Sequence, residues 1–440
     1  MAFFLARVRR NLLTRAFPRF ALGVVFIYIY CEYLIYYVTQ LPCDWPALKE
    51  EPVEEPVYAM VLADTHLLGS RQGHWLDKWR REWQMHRAFQ TAMTLHRPET
   101  VFVLGDLFDE GKWCSESEFN DYVDRFHKLF KVPEGTSMHV VVGNHDIGFH
   151  YSKKLTREVI AAGPVEGDKF RRITPKLARR FEIKLDAPPV KLVSIRANHF
   201  VLINSMAMEG DGCRLCTRAM KKIDRIADIL KCSNGSPLCK GDVRLENYTR
   251  PIIMQHYPFY RESDSICTES DAAPLPERNN LFEERWDCLS KESTEYLVEN
   301  LLPRAVFGAH THHSCRVRHS FKPTTNHKIE FVEYTVPSFS WRNRLDPKYY
   351  LVTVSPAEIQ VSKCGLPREW TMQVTAVLML MVLLLFLRYY GTGNYFNYKL
   401  LSTRATKLTP GHYPEHADRD QMGKVSQFRP TGNRIQSLFM

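Results

Sequence analysis

Three polar side chains follow an apolar segment in the stretch VVGNHD. The apolar residues 138–142 are typical of a core strand, and Gly143 directly behind them predicts a turn. Asn144, His145 and Asp146 are therefore expected on the loop that leaves the carboxyl end of this strand. Loops at this end of layered α/β folds commonly carry the chemistry.

Polar side chains of the same kinds follow four further apolar segments. These segments are residues 57–63, 101–104, 252–254 and 305–307, and behind them come Asp64 and His66, Asp106 and Asp109, His256, and His310 and His312. Carboxylate, amide and imidazole groups without thiolates suit divalent ions such as Mn²⁺, Fe²⁺ or Zn²⁺. Five such loops supply more ligands than one ion needs, so the pattern predicts two ions, an arrangement that clamps a phosphoryl group and activates water.

Each motif alone has a simpler explanation. A single Asp-x-His or Asn-His pair is commonly a capped turn or a solvated loop. The shared position of all five groups behind apolar segments favours one metal site.

The motifs resemble the blocks of the calcineurin-like metallophosphoesterase superfamily: D-x-H, G-D-x-x-D, G-N-H-[DE], H and G-H-x-H, in this order over residues 57–361. The resemblance implies an α/β fold, the calcineurin-like metallophosphoesterase sandwich, in which two mixed β-sheets flanked by helices pack face to face. It also implies a ligand set: Asp64, His66 and His312 for one ion, Asn144, His256 and His310 for the other, and Asp106 as the bridge. Ala309 stands where the family has glycine, which leaves the local backbone conformation open.

The resemblance implies a catalytic pair as well. His145 would lie beside the scissile phosphate and donate a proton to the leaving group, and Asp109 would orient it. A general acid held by a carboxylate is common in hydrolases. Asp146 would support the loop without binding metal.

The elements that position these loops alternate in the first half of the domain. Helical patterns cover residues 77–96 and 117–130, and further strands are predicted at 200–203, 329–334 and 350–354. Alternating strands and helices followed by strands alone predict a layered domain, which we place at residues 57–365. Residues 43–56, rich in Pro and Glu, are predicted to be a linker.

Two apolar segments, residues 20–38 and 370–387, predict transmembrane helices on either side of this domain, because about 20 apolar residues span a bilayer. A cleaved signal peptide is the alternative for the first segment, and a buried core helix is the alternative for the second. Glu32 in the first segment calls for a polar partner on the other helix or for a position near the membrane surface.

The net charge of +10 lies largely in the basic N-terminus, residues 1–19, and in the tail, residues 388–440. This distribution fits membrane topology better than a nucleic-acid-binding face, so we expect the membrane and no nucleic acid as a partner. The positive-inside rule then places both termini in the cytosol and the domain in the lumen. Asn234 and Asn247 begin N-glycosylation tripeptides, which agrees with a lumenal domain.

Cysteine usage indicates an oxidising compartment. Of the 11 cysteines, Cys31 lies in the first apolar segment and the other ten lie in the domain or its linker. Four of them form a cluster, Cys213, Cys216, Cys232 and Cys239. Disulfides are favoured for this cluster over a zinc ribbon, because the last pair is spaced too widely for a usual zinc knuckle.

The substrate is suggested by resemblance alone. The stretch GDLFDEGKW at residues 105–113, with the two flanking apolar segments, resembles the membrane-bound branch of the superfamily that remodels GPI anchors. This implies a phosphodiesterase that uses Mn²⁺ to remove an ethanolamine-phosphate side branch from a mannose of the GPI glycan. It would act at endoplasmic reticulum exit sites, the ER-Golgi intermediate compartment and the Golgi, and would promote transport of GPI-anchored proteins, with cargo receptors of the early secretory pathway as further partners. The alternatives are a lumenal phosphatase of nucleotides or other phosphoesters, and a GPI cargo receptor without turnover.

Overall fold

The structure is a computed structural model that describes residues 17–149, 172–210, 212–322 and 328–405, with side chains through residue 389. Most of the basic N-terminus and of the tail therefore lies outside the described residues. Contacts divide the chain into a large unit, Ala21–Val382, and a second unit of terminal segments, of which the structure describes residues 17–20 and 383–405.

Five strands form the first sheet, in the order β11-β10-β1-β2-β3. Their bounds are β1 Val57–Leu62, β2 Thr100–Leu104, β3 Ser137–Val141, β10 Lys348–Val354 and β11 Ile359–Gly365. Strands β1, β2 and β3 are parallel, whereas β10 and β11 are antiparallel to their neighbours. The carboxyl ends of the three parallel strands therefore share one edge of the sheet.

Six strands form the second sheet, in the order β4-β5-β6-β7-β9-β8. Their bounds are β4 Val190–Ile195, β5 Asn198–Ile203, β6 Ile252–Gln255, β7 Ala305–Gly308, β8 Cys315–Phe321 and β9 Ile329–Thr335. The central strands β5, β6, β7 and β9 are parallel, and the two outer strands are antiparallel to them. Both sheets are thus mixed, as the sequence predicted.

Alternating residues of the two sheets form the core between them. Val57, Ala59 and Val61 of β1 are fully buried in this core, because side chains of a strand alternate between faces. Phe102 and Phe200 from opposite sheets pack with ring centroids 4.8 Å apart. A second cluster on the outer faces joins the sheets to the helices.

The helices lie outside the sheets. Their bounds are α1 Phe17–Ile29, α2 Ile35–Gln40, α3 Trp75–His96, α4 Glu116–Leu129, α5 Asn144–Ile147, α6 Pro175–Leu185, α7 Arg214–Ser233, α8 Leu275–Arg278, α9 Lys291–Leu301 and α10 Glu369–Ala405, with 3-10 turns at Ser205–Ala207 and Asp264–Ile266. Helix α4 begins with a capping box, in which Ser115 and Glu118 satisfy each other's backbone N–H groups. The predicted start at residue 117 is therefore one residue late.

Two long helical segments pass the length and composition test for crossing a membrane. They are Phe17–Gln40, which contains α1, a π-helical turn Tyr30–Leu34 and α2, and Glu369–Tyr389 at the start of α10. A signal sequence or a buried core helix would pass the same test, but only 17% and 6% of these segments is buried.

Glu32 has its partners on α3. Arg80 Nη1 lies 2.5 Å from Glu32 Oε2, and Trp83 Nε1 donates to the same oxygen at 2.9 Å. The suggestion of a partner on the other apolar helix is therefore wrong. A position near the membrane surface is compatible with these contacts, because an ion pair with the domain keeps the carboxylate at the domain end of the helix.

Three disulfides join described residues: Cys43–Cys364, Cys232–Cys239 and Cys267–Cys315. In the predicted cluster of four cysteines, one disulfide forms, and the Cys213 sulfur instead accepts the backbone N–H of Cys216 at 3.0 Å. The segment predicted as a linker is tied to β11 through Cys43, since the bond spans a sequence separation of 321 residues.

Candidate metal centre

Five strand ends converge at one edge of the sandwich. Loops after β1 and β2 are joined by backbone hydrogen bonds, Asp64 N–H to Gly105 O at 3.1 Å and His66 N–H to Asp106 O at 3.0 Å. Five site residues have the left-handed backbone conformation that non-glycine residues rarely adopt: Asp64, His66, Asp106, His310 and His312, with φ of 53°, 45°, 49°, 73° and 62°. Such strain, about 1–3 kcal/mol per residue, persists where the surrounding structure fixes a functional site.

The first ligand group contains Asp64, His66 and His312. The two Nε2 atoms of the histidines are 3.2 Å apart, and they lie 4.0 Å (His66) and 3.8 Å (His312) from Asp64 Oδ1. Because His66 Nδ1 faces the Asp109 carboxylate at 3.1 Å, His66 Nε2 is a free acceptor that can take the N–H of His312 or bind a cation. A cation between the three side chains would satisfy all of them.

The second ligand group contains Asn144, His256 and His310. His256 Nε2 lies 3.1 Å from Asn144 Oδ1 and 3.3 Å from His310 Nδ1. The other ring nitrogens are held by backbone carbonyls, His256 Nδ1 by Leu104 O at 2.7 Å and His310 Nε2 by Trp286 O at 2.8 Å. A backbone acceptor on one ring nitrogen fixes the tautomer and leaves the other nitrogen for a metal.

Asp106 lies between the two groups. Its Oδ2 is 3.6 Å from His66 Nε2 and 3.4 Å from His256 Nε2. Its Oδ1 accepts the backbone N–H of His145 at 2.7 Å. One carboxylate oxygen therefore faces both groups, which is the position that a bridging ligand requires.

The Asp64 carboxylate tests whether the residues fit a metal. Both of its oxygens are buried without a hydrogen-bond partner among the described residues. Burial raises the pKa of Asp64 well above its ordinary value, and the His256 charge opposes this only in part. A buried carboxylate that lacks donors is costly, and a divalent cation supplies the missing partner. The donor set, oxygens and imidazoles without thiolate, therefore fits divalent metal ions.

The histidines on the open side of the site are held neutral. Burial and the nearby His256 lower the pKa of His310 to about 3. Burial and His66 likewise lower the pKa of His312 well below its ordinary value. A neutral imidazole is the form that binds metal, so both side chains are ready to act as ligands at neutral pH.

Two glycines allow the loops to approach this closely. A Cβ at Gly143 would lie 2.2 Å from Asp106 Oδ1. Gly105 has φ of +84°, and a Cβ there would lie 2.7 Å from His256 Nδ1. The motifs G-D-x-x-D and G-N-H-D thus begin with glycine because side chains at these positions would displace the ligands. Ala309, by contrast, is fully buried without disturbing His310, and its N–H donates to His256 O at 2.7 Å.

His145 lies next to the ligands and reaches solvent. Its Nδ1 is 3.1 Å from the backbone oxygen of Asp109 and 3.4 Å from the carboxylate oxygen Oδ1, and about a quarter (26%) of its side chain is exposed. Both neighbours accept hydrogen bonds, so Nδ1 carries the proton and Nε2 faces away from Asp109. Asp146 accepts backbone N–H groups of Gly143 at 2.8 Å and Phe108 at 3.0 Å, which agrees with a supporting role.

Asp109 does more than the sequence suggested. The same Oδ1 that faces His145 lies 3.1 Å from His66 Nδ1. This carboxylate therefore orients both His66, a proposed metal ligand, and His145. Burial alone would raise its pKa, but hydrogen bonds from His145 and His66 lower it below the ordinary value. Asp109 is therefore ionised at neutral pH.

Arg342 was missed by sequence reasoning. Its Nη1 lies 2.9 Å from Asp109 Oδ2, its Nη2 donates to Gln72 Oε1 at 2.9 Å, and 31% of its side chain is exposed. The only signal was the basic tetrapeptide WRNR at residues 341–344, which follows the last recognised motif by almost thirty residues. Neither its type nor its distance from the motifs distinguishes it from a surface arginine.

One other group of potential ligands has a structural explanation. Asp264, Cys267 and Cys315 lie close enough to hold an ion. Cys267 and Cys315 form a disulfide, however, and Asp264 pairs with Arg261 at 2.7 Å. This group therefore offers no thiolate to a metal.

The arrangement suits phosphoryl transfer. Two divalent ions, when bound, would stabilise charge on the phosphoryl oxygens and activate water. His145 Nε2 can hold a proton beside a leaving oxygen while Asp109 fixes the ring. Arg342, paired with Asp109 and 31% exposed, adds a positively charged group at the rim of the site, which favours an anionic substrate.

A family model and curated relatives match most of the chain. Residues 58–314 match the family model described as Calcineurin-like phosphoesterase. Curated proteins named Metallophosphoesterase 1 are 39% identical over 402 residues in Danio rerio (88% of this chain, 97% of the relative) and 42% identical over 397 residues in Rattus norvegicus (87% and 91%). A solved purple acid phosphatase from yellow lupin seeds covers 72% of this chain and 54% of its own, with a TM-score of 0.42 and 9% identity.

Proposed function

The chain belongs to the calcineurin-like phosphoesterase family and is a metal-dependent phosphoesterase, and we propose that it removes an ethanolamine-phosphate side branch from a mannose of GPI anchors. It would do so as a two-metal phosphodiesterase. Asp64, His66 and His312 would hold one ion, and Asn144, His256 and His310 the other. Asp106 would bridge the two ions.

The observation that carries the reaction type is the pairing of a two-metal ligand set with His145. The ligands alone would serve a binding protein equally well. A partly exposed histidine whose Nδ1 is held by Asp109 has no role in simple binding, but it can protonate the leaving oxygen of a phosphodiester. This favours an enzyme over a GPI cargo receptor without turnover.

The GPI substrate is supported by location and by resemblance. Two apolar helices flank the domain, which agrees with a substrate carried by a membrane lipid. The stretch at residues 105–113 contains Asp106, Asp109 and the buried Glu110 and Lys112, so the segment that carries the resemblance also forms the site. Mn²⁺, endoplasmic reticulum exit sites and Golgi compartments, and promotion of transport of GPI-anchored proteins complete the proposal.

Mass spectrometry of a GPI glycan tests the proposal directly. The glycan carries ethanolamine phosphate and is incubated with the full-length protein and Mn²⁺. The expected result is the loss of one ethanolamine-phosphate unit. An Asp106→Ala protein is the control for metal-dependent turnover, and the glycan should stay intact with it.

Each other outcome changes a different part of the proposal. An intact glycan, combined with hydrolysis of a generic aryl phosphodiester, would keep the enzyme class and reject the GPI substrate. Hydrolysis of nucleotides at a higher kcat/KM would favour a lumenal nucleotide phosphatase. Binding of the glycan without turnover of any phosphoester would favour the receptor.

A further inference from the structure

The first turn of α3 exposes two tryptophans to solvent. Trp75 is 70% exposed, Trp79 is 59% exposed, and Leu76 between them is 50% exposed. Residues four apart on a helix lie on the same face, so Trp75 and Trp79 form one apolar surface with Leu76 at its side. We call these three residues the aromatic turn. Tryptophans are enriched where protein meets both the headgroups and the hydrocarbon of a bilayer.

The same helix is bound to both apolar helices through two ion pairs. Arg80 Nη1 lies 2.5 Å from the Glu32 carboxylate in the first apolar segment. The next residue, Arg81, places Nη1 2.8 Å from the carboxylate of Glu369, at the start of α10. Trp83 and Gln84 add hydrogen bonds to the same two carboxylates at 2.9 and 3.0 Å.

These contacts indicate where the aromatic turn lies along the membrane normal. Glu32 and Glu369 mark the domain end of the two apolar segments, because charged groups avoid the hydrocarbon. Trp79 and Trp75 precede Arg80 by one and five residues, so the aromatic turn lies within about 8 Å of Arg80 along the helix. Trp83, four residues after Trp79 and therefore on the same face, packs on Tyr33 of the first apolar segment with ring centroids 5.4 Å apart, which joins this face of α3 to that helix.

The metal centre is connected to the aromatic turn by a short loop. Gln72 precedes Trp75 by three residues and accepts a hydrogen bond from Arg342, whose guanidinium also pairs with Asp109. Glu110 also holds this loop, because its carboxylate accepts the backbone N–H of Gln72 at 2.6 Å. The exposed rim of the site and the aromatic turn are thus joined by a loop that Arg342 and Glu110 hold in place.

We propose that the aromatic turn rests in the headgroup layer of the bilayer crossed by the two apolar helices. It holds the rim of the metal centre at the membrane surface. The substrate class that fits is a phosphoester on the headgroup of a lipid anchored in the same bilayer, with the reacting bond close to the membrane. This inference rests on the proposed function for the membrane-crossing helices, and it adds the surface that presents the substrate.

The test uses the full-length protein in lipid nanodiscs. The variant is Trp75→Ser/Trp79→Ser. The matched control is Leu238→Ser/Leu281→Ser, which removes leucines that are 64% and 81% exposed and lie in loops outside α3 and the two apolar segments. Two measurements are compared: quenching of tryptophan fluorescence by lipids brominated near the headgroup or at the chain end, and kcat/KM for a lipid-carried and for a water-soluble phosphodiester.

The expected quenching is strongest with the shallow bromine, and it should fall in the tryptophan variant alone, with a remainder from Trp370, which is 55% exposed beside Glu369. We expect kcat/KM of that variant on the lipid-carried substrate to fall about tenfold. This fall corresponds to a loss of about 1.4 kcal/mol in the binding of the aromatic turn to the membrane. Its rate on the soluble phosphodiester should not change, which also shows that the site remains folded.

Other results separate the two proposals. Equal quenching in the wild type and the tryptophan variant would overturn the membrane surface, whatever the enzyme hydrolyses. A wild type with shallow quenching but no turnover of GPI would reject the GPI substrate and leave the surface standing. Concentration-dependent self-association of the wild type that the tryptophan variant lacks would assign the aromatic turn to a second copy of the chain and overturn the lipid assignment.

Discussion

At the scale of single residues, the site separates ligands from a proton donor by their surroundings. Asp64 and Asp106 are buried with few or no donors, which suits a cation. His145 is partly exposed, and its Nδ1 is held by Asp109. Burial and hydrogen bonding therefore decide whether a side chain of this site suits metal binding or proton transfer.

Replacing His145 by alanine should separate chemistry from metal binding. His145→Ala removes the proposed general acid without touching a ligand side chain, so we expect turnover of a phosphodiester to fall by about 10²–10⁴-fold. Metal content measured by inductively coupled plasma mass spectrometry should equal that of the wild type. A variant that keeps full activity would remove His145 from the mechanism.

Replacing Asp64 by asparagine should change the melting temperature in opposite directions with and without bound metal. In the chelated protein, Asp64 is a buried carboxylate without donors, so Asp64→Asn should leave the melting temperature unchanged or raise it. With Mn²⁺ present, the variant should melt below the wild type, because it loses a ligand and the stabilisation that binding adds. Thermal unfolding with chelator and with Mn²⁺ measures both signs. A variant that is less stable under both conditions would mean that Asp64 is structural.

The ligands could be predicted from sequence because each lies directly behind a buried strand. Arg342 could not, because it lies seven residues beyond the end of β9 and within a longer loop, not directly behind the strand. The double contact of Asp109, with His66 and with His145, depends on the path of three separate loops. Spacing within one motif carries no information about such a meeting.

At the scale of elements, the sequence revealed the strands that are buried and missed three at sheet edges. β4, β8 and β11 each lie at the end of a sheet order. The sequence of β8, CRVRHSF, alternates buried or half-buried residues with the exposed Arg316, Arg318 and Ser320, so only one face is covered. Exposed edges of sheets favour charged residues, so the apolar run that marks a central strand is absent there.

Asp271 joins several of these elements. Its carboxylate accepts from Lys348 on β10 at 2.7 Å, Lys363 on β11 at 2.8 Å, and Ser314, two residues beyond His312, at 2.7 Å. Burial raises its pKa, but the two lysines and the serine lower it below the ordinary value. Strands β10 and β11 are thereby joined to the loop that carries His312.

Asp271→Asn should destabilise the protein in a pH-dependent way. We expect a loss of about 2 kcal/mol at pH 7, because charged hydrogen bonds are lost. A carboxyl with a lowered folded-state pKa stabilises fully above its unfolded pKa of about 4 and loses this contribution as the pH falls further. The difference between variant and wild type should therefore narrow below pH 4 in urea unfolding of the detergent-solubilised protein.

A surface aspartate provides the control for that measurement. Asp186 pairs with Lys191 at 2.5 Å, but its side chain is 85% exposed. Asp186→Asn should change the free energy of unfolding little, because exposed ion pairs contribute weakly. A loss in Asp271→Asn that stays constant from pH 7 to pH 3 would contradict an ionised Asp271 as the cause.

At the scale of the whole molecule, the domain is joined to the first apolar segment by more than a flexible linker. Tyr36 and Gln40 of α2 are fully buried, and Gln40 accepts from the Tyr349 hydroxyl at 2.9 Å. The disulfide from Cys43 to β11 follows within three residues of Gln40. Hydropathy predicted an apolar helix here but could not show that one side of its last turns packs in the core, since both environments select apolar residues.

The orientation of the chain in the membrane makes a last prediction. Asn234, at the end of α7, and Asn247 are both exposed, so a glycosyltransferase can reach either tripeptide if the domain is lumenal. In the cytosol neither would be modified, and reducing conditions would oppose the three disulfides. We therefore expect peptide N-glycosidase F to increase the electrophoretic mobility of the expressed protein by the amount that two N-glycans account for. Asn234→Gln and Asn247→Gln should each reduce this shift by one glycan. In intact microsomes, external protease should remove an N-terminal tag. Unmodified asparagines in a domain that external protease digests would reverse the topology, and would place the metal centre and the aromatic turn on the cytosolic face.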